Sequence, residues 1–267
     1  MSDVAGVTHV GRVRKENQDG FIAETFNRSG DHEFMCLAVA DGMGGHQNGR
    51  LASERAIETI RATLSGLETD PSVDLCVSME HDAHAAVGKL AQEGETVGTT
   101  LTMLLIKDHK GYLAHVGDSR VYRLREGRLV QLTEDQVWDE RSEYGLQLRQ
   151  AIGVGDRVEP ESAFLELQDG DRVLVCSDGL HKFVTDEQIE KALIRDSKPQ
   201  RACDQLLNLA LEAGGRDNIA IAIGAIGDVS GESSIGKLKQ SWIWVATLLA
   251  IGIVLAVAVY AIEHKGF

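Results

Sequence analysis

The rhythm of short apolar runs constrains this chain most. Residues 20–25, 34–40, 99–106, 112–116, 120–125, 129–133, 172–176 and 219–226 read as strands, several ending at Gly or Asp turn signals. Helical periodicity comes in pairs. Leu51, Ala56, Ile57, Ile60, Leu64 and Leu67 recur at helical spacing, and Val73, Cys76, Val77, Ala83, Val87 and Leu90 do so again after Pro71. A later pair covers 186–195 and 199–213, with Thr185 or Asp186 as a cap and Pro199 in a first turn. Strands in hairpin succession with helices in pairs predict an α+β fold, antiparallel sheets covered by helices rather than repeated βαβ units.

Charge and cysteine usage narrow the function classes. The 27 Lys and Arg against 41 Asp and Glu leave a formal charge of −14, which would repel a phosphate backbone and excludes nucleic acid as a partner. Cys36, Cys76, Cys176 and Cys203 lie far apart, without the paired spacing of a zinc or dithiol site, and read as small buried hydrophobes in a reducing compartment. The first residues hold no apolar stretch of signal-peptide length, so the first domain is expected to stay in the cytoplasm.

A compositional boundary falls near Asp228. Residues 1–228 form the expected catalytic domain, and 229–241 are a Ser, Gly and Lys-rich linker. Residues 242–262 carry no charge and, at about 1.5 Å per residue, reach the ~30 Å of a bilayer core. Trp242, Trp244 and Tyr260 suit its interfaces, and Lys237 and Lys239 suit a cytoplasmic N-terminal side. The expectation is one membrane-spanning helix in the inner membrane, with 263–267 as a far-side tail.

Aspartates at strand ends carry the chemistry: Asp19 in RKENQD, Asp41 in DGMGGH, Asp118 in GDSR, Asp178 in SDGL and Asp217 in RDN. Singly, each is an ordinary turn residue. Together they are a set of hard oxygen ligands with neither Cys nor paired His, which suits Mg2+ or Mn2+. Several carboxylates brought together need cations to stay ionised, and a two-metal centre can activate water for phosphoryl displacement without a nucleophilic side chain. A G-x-S-x-G elbow, a Walker loop and a Cys-x5-Arg cradle are all missing from the sequence.

The ordered motifs R-x-x-N-x-D, DGMGGH-x-x-G, GTT, GDSR, LT-x-D, a late IG, SDGL and DN, from Val10 to Ile226, resemble the metal-dependent protein phosphatase family, type 2C, in its bacterial form. The resemblance implies a four-layer α-β-β-α sandwich of two antiparallel sheets, with Mn2+ or Mg2+ at one edge. It implies that Asp41 bridges two metals, that the Gly42 carbonyl completes one shell, and that Asp178 and Asp217 hold the second ion. By the same resemblance Asp19 holds a metal through water, Arg14 grips the substrate phosphate, and Asp118 shares a third ion with Asp178. Arg14, Asp41, Asp178 and Asp217 form the implied catalytic set. Asn218 reads either as an orienter of the ligands or as a turn residue, and Thr99, Thr100, Ser119 and Arg120 as scaffold.

Departures from the family pattern mark the open points. Gln18 replaces a Glu beside the metals, and Met43 stands where animal relatives carry a histidine that protonates the leaving group. His46 is the nearest candidate for that role and reads rather as a histidine hydrogen-bonded under the Gly-rich turn, behind the ligands. Gln136 replaces a His, and the stretch 137–150 before the IG motif, which forms a flap in bacterial relatives, is short. The implied activity is hydrolysis of phosphoserine and phosphothreonine on phosphorylated proteins, opposing a cognate Ser/Thr kinase at the membrane. An inactive phosphoprotein-binding membrane scaffold and a small-molecule phosphomonoesterase are the competing readings.

Overall fold

The computed structural model describes residues 3–27, 33–44, 48–92, 95–138 and 147–227, all within a compact unit spanning Met1–Val229. The linker, the expected membrane segment 242–262, the tail and His46 lie outside the described residues. Among the described residues no helix is long and apolar enough to cross a membrane.

Two antiparallel sheets form the centre. One runs β1 (Asp3–His9), β11 (Ile219–Ala225), β10 (Arg172–Cys176), β7 (Arg120–Arg125) and β8 (Arg128–Gln131). The other runs β2 (Asp19–Asn27), β3 (Glu33–Met43), β5 (Leu101–Lys107), β6 (Lys110–Val116) and β9 (Glu161–Glu166), with the two-residue β4 (Gly98–Thr99) paired to the end of β3. The helices α1 (Asn48–Ser65) and α2 (Val73–Gly88) cover the second sheet. The helices α4 (Asp186–Arg195) and α5 (Pro199–Glu212) cover the first. The four layers expected from the sequence are present.

Each interface has its own apolar core. Ala52, Ala56, Ile60 and Leu64 recur every fourth residue on α1 and are buried against Ile22, Ala38 and Met103 of the sheet. Ala202, Leu206 and Ala210 do the same for α5 against β1 and β11, with Cys203 buried beside them. Leu37, Val39, Leu113, Val173, Val175 and Ala222 fill the space between the sheets. Burying a side chain such as Ile60 or Leu64 contributes ~1.5–3 kcal/mol each. All four cysteines are buried thiols, as expected of small hydrophobes. Thr185 and Gln188 close a capping box on α4, and Pro199 begins α5.

Three elements escaped the sequence reading. β1 and β9 are edge strands, and β9 alternates half-buried with exposed residues, so neither shows a long apolar run. The third is the single turn α3 (Asp178–His181), too short to display a helical period.

Candidate active site

Antiparallel pairing brings the aspartates to one end of both sheets. In the β2–β3 ladder Asp19 lies directly opposite Asp41, a register that sets Cβ atoms ~4.5–5.5 Å apart. In the other sheet β10 ends at Cys176 opposite Arg120 of β7 and Ile221 of β11. Asp178 thus emerges beside Asp118, which precedes β7, and beside Asp217, which precedes β11. Five aspartates far apart in sequence converge because antiparallel neighbours start and stop at the same edge.

Asp41 is fixed through its backbone. Its N–H donates to Thr100 Oγ1 at 2.9 Å, and its carbonyl accepts from Thr100 N–H at 2.9 Å. The Thr100 hydroxyl shares a 2.9 Å hydrogen bond with the Ser119 hydroxyl, both fully or almost fully buried. The GTT and GDSR motifs therefore serve as scaffold beneath Asp41. Arg120 lays its fork on both oxygens of Asp135 at 2.8 Å and donates to Tyr122 Oη at 2.8 Å, clamping the loop that carries Asp118.

The glycines of the DG motif are explained by close approach. A Cβ on Gly42 would collide with the Gly49 carbonyl, and one on Gly49 would lie 2.8 Å from the Gly42 carbonyl. The start of α1 is thereby pressed onto the end of β3. Gly42 N–H donates to the Gln18 carbonyl at 3.0 Å, tying in the Arg14 to Asp19 loop.

Asn218 staples that same loop. Its Nδ2 donates to the carbonyls of Val10 at 2.9 Å and Glu16 at 3.0 Å, and its Oδ1 accepts from Gln18 N–H at 2.9 Å. Among the described residues its side chain thus bonds only backbone groups, and the loop that it holds ends in Asp19. Gln18 joins this network through its backbone, and its amide oxygen lies against Gly49.

The electrostatics are those of a carboxylate cluster. Burial, with Asp178 and Asp217 nearby, pushes Asp19 up to about 7, although Ser177 Oγ donates to its Oδ2 at 2.7 Å. Burial and the fields of Asp19, Asp178, Asp118 and Asp217 raise Asp41 well above the ordinary carboxylate range. Asp118 is raised chiefly by burial, then by Asp178. Asp19 Oδ1 is buried with no hydrogen-bond partner. A buried carboxyl oxygen without a donor, among carboxyls that resist ionising together, is what a bound cation would relieve, so the donor set fits divalent metal.

The outer carboxylates are held by the protein's own cations. Arg14 Nη2 donates to Asp217 Oδ2 at 2.7 Å, with half of the arginine side chain exposed. Lys182 Nζ donates to Asp178 Oδ2 at 2.6 Å and to Asp118 Oδ2 at 3.1 Å. Consistent with this pairing, among the described residues no three Asp, Glu, His or Cys side chains are gathered about one point at ligand distance. His181 Nε2 donates to the Asp118 carbonyl at 2.9 Å, and burial pushes its pKa down to about 4.

Sequence reasoning missed Ser177 and Lys182. Ser177 stands inside the SDGL motif, and Lys182 is four residues after Asp178, the spacing of a helical ion pair. Gln136, noted only as a departure, is buried; its Oε1 accepts from Gly117 N–H and from Gln150 Nε2, both at 2.9 Å. Val137 and Leu148 form an isolated antiparallel bridge, and residues 139–146 between them lie outside the described residues.

Comparison with known proteins gives the family and the fold. The family model for protein phosphatase 2C matches residues 6–213. The Mycobacterium tuberculosis serine/threonine protein phosphatase PstP is 34% identical over 82% of this chain, which spans 44% of that protein's length. Protein phosphatase PhpP of Streptococcus pneumoniae is 30% identical over 86% of this chain and 100% of its own. The crystal structure of the PstP catalytic domain in complex with two manganese ions superposes with a TM-score of 0.73 at 30% identity, covering 85% of this chain and 99% of that one. The S. agalactiae serine/threonine phosphatase gives 0.75 at 25% identity, covering 85% of this chain and 100% of that one. With the family model matched over residues 6–213 and a relative 30% identical over its whole length, the chain belongs to the protein phosphatase 2C family.

Proposed function

We propose that this chain hydrolyses phosphoserine and phosphothreonine on proteins, using two divalent cations, Mn2+ or Mg2+, held by Asp19, Asp41, the Gly42 carbonyl, Asp178 and Asp217. The observation that carries this reading is the orphaned Asp19 Oδ1 in register with Asp41 inside the carboxylate ring. It is supported by the two manganese ions in the PstP catalytic domain.

Cations held there would supply the positive charge that acidifies water and offsets charge on the phosphate oxygens. The protein's residues supply position. Thr100 and Ser119 lock the backbone of Asp41, Ser177 orients Asp19, and Asn218 holds the loop that carries Asp19. Arg14 stands half-exposed at the rim, where its fork can exchange Asp217 for a substrate phosphate. Asp135 and Arg120 neutralise each other, while Arg14 and Lys182 offset part of the field of the five aspartates.

Residues 242–262 are proposed to anchor the enzyme in the inner membrane, with the catalytic unit in the cytoplasm near its kinase and phosphoprotein substrates. The support is compositional: an uncharged segment of bilayer length flanked by aromatic residues and two lysines.

Activity on a phosphothreonine peptide should disappear on chelation, return with Mn2+, and be absent in Asp41→Asn. Full turnover after exhaustive chelation ends the metal-dependent reading of the phosphatase. The full chain should fractionate with membranes and a chain ending at Asp228 should not; a full chain in the soluble fraction removes the anchor.

A further inference from the structure

Lys182 is the cation that the family-based expectation did not include. It follows Asp178 by one helical turn, and its ammonium reaches both Asp178 Oδ2, at 2.6 Å, and Asp118 Oδ2, at 3.1 Å. These are the two carboxylates from which a third divalent ion is expected to be built. The side chain is one-third exposed, while the carboxylates it bridges are nearly buried, with 10% of the Asp118 side chain and 16% of the Asp178 side chain exposed.

The bridge is anchored at all of its corners. Lys182 N–H donates to the Asp178 carbonyl at 3.0 Å, capping α3. His181 on the same turn donates to the Asp118 carbonyl at 2.9 Å, tying the Asp118 loop to that turn. Below it, Ser119 bonds Thr100, and Arg120 clamps Asp135. A Cβ on Gly179 would collide with the Asn218 carbonyl, so α3 is seated on the backbone leading into β11. The ammonium is thus delivered by a rigid turn, unlike the long, solvated ion pairs of an open surface.

We propose that Lys182 is a tethered counter-charge standing where a third divalent ion would sit, so that this chain binds two divalent ions and strongly disfavours a third. The inference rests on the two-cation reading above and departs from the expectation that Asp118 is a metal ligand. A divalent ion entering between Asp118 and Asp178 must displace the ammonium and break two charge-assisted hydrogen bonds, while the +1 charge stays on its short tether. Asp118 is then a partner of Lys182, and Asp178 divides its oxygens between the ammonium and the two-ion centre.

Mn2+ titration of the full chain, followed by calorimetry and by the paramagnetic signal of free Mn2+, tests this. The parent should take up two ions. Lys182→Gln should take up a third, bound at least ~tenfold more tightly than any third ion in the parent, the factor carried by one charge-assisted hydrogen bond. Adding Asp118→Asn to Lys182→Gln should abolish that gain, and Lys182→Arg, which keeps the charge, should stay at two. A parent that binds three ions, or a Lys182→Gln variant that remains at two, overturns the proposal. A parent that binds no Mn2+ removes the two-cation reading instead. Lys182 is then judged by melting in chelator, where Lys182→Gln should lower the midpoint and Asp118→Asn on top should raise it again; an unchanged midpoint overturns the counter-charge role.

Discussion

Glu80 offers a sharp test of how burial governs stability in this fold. It lies on α2, is fully buried, and neither carboxylate oxygen has a hydrogen-bond partner. Burial raises its pKa well above the ordinary 4.5. The sign follows from linkage: the folded chain holds this proton more tightly than the unfolded chain. Its contribution is therefore fully present below 4.5 and is lost as pH rises toward the folded value. While the folded carboxyl keeps its proton, each pH unit removes up to about 1.4 kcal/mol, so moving from about pH 5.5 to about pH 7.5 removes up to ~2.7 kcal/mol. At ~2–4 °C per kcal/mol for a domain of this size, that is roughly 5–11 °C in Tm. Glu80→Gln keeps the shape and cannot ionise. Melting parent and variant by circular dichroism in chelator at the two pH values isolates Glu80, because every other titrating group is common to both. The variant should gain on the parent as pH rises, by up to the amount above. Parallel Tm curves would refute the reasoning, since they would mean that Glu80 has the same proton affinity folded and unfolded.

Two further outcomes test the site's scaffold. Thr100→Val strands the Asp41 N–H and the Ser119 hydroxyl and should cost ~1–3 kcal/mol in urea unfolding together with turnover, while Thr100→Ser should recover both; a neutral Val variant would remove the hydroxyl from the account. Gly42→Ala drives a methyl into the Gly49 backbone and should cost ~1–3 kcal/mol or more and weaken Mn2+ binding. Gly66→Ala, with only the Ala62 carbonyl at 3.9 Å, should stay within about 0.5 kcal/mol, and equal effects at both positions would discredit the contact argument.

What the sequence determined by itself was whatever is encoded within a few neighbouring residues. The pairs α1–α2 and α4–α5 were legible because their apolar residues return with the helical period, and the Thr185 and Pro199 start signals are local chemistry. The candidate ligands were legible because Asp19, Asp41, Asp118, Asp178 and Asp217 sit in turn motifs at strand ends. Tertiary structure decided which of them meet. The register that sets Asp19 against Asp41 and aligns Arg120 with Cys176 comes from ladders between distant segments, and periodicity reports only a period, not a partner. The same limit hid β9, whose half-exposed edge mimics a loop, and Glu80, a charged helical residue that packing turns inward. It also hid Lys182, whose i,i+4 partner Asp178 was readable in the sequence, whereas its second partner, Asp118, is 64 residues away and is brought within 3.1 Å only by the pairing of β7 with β10.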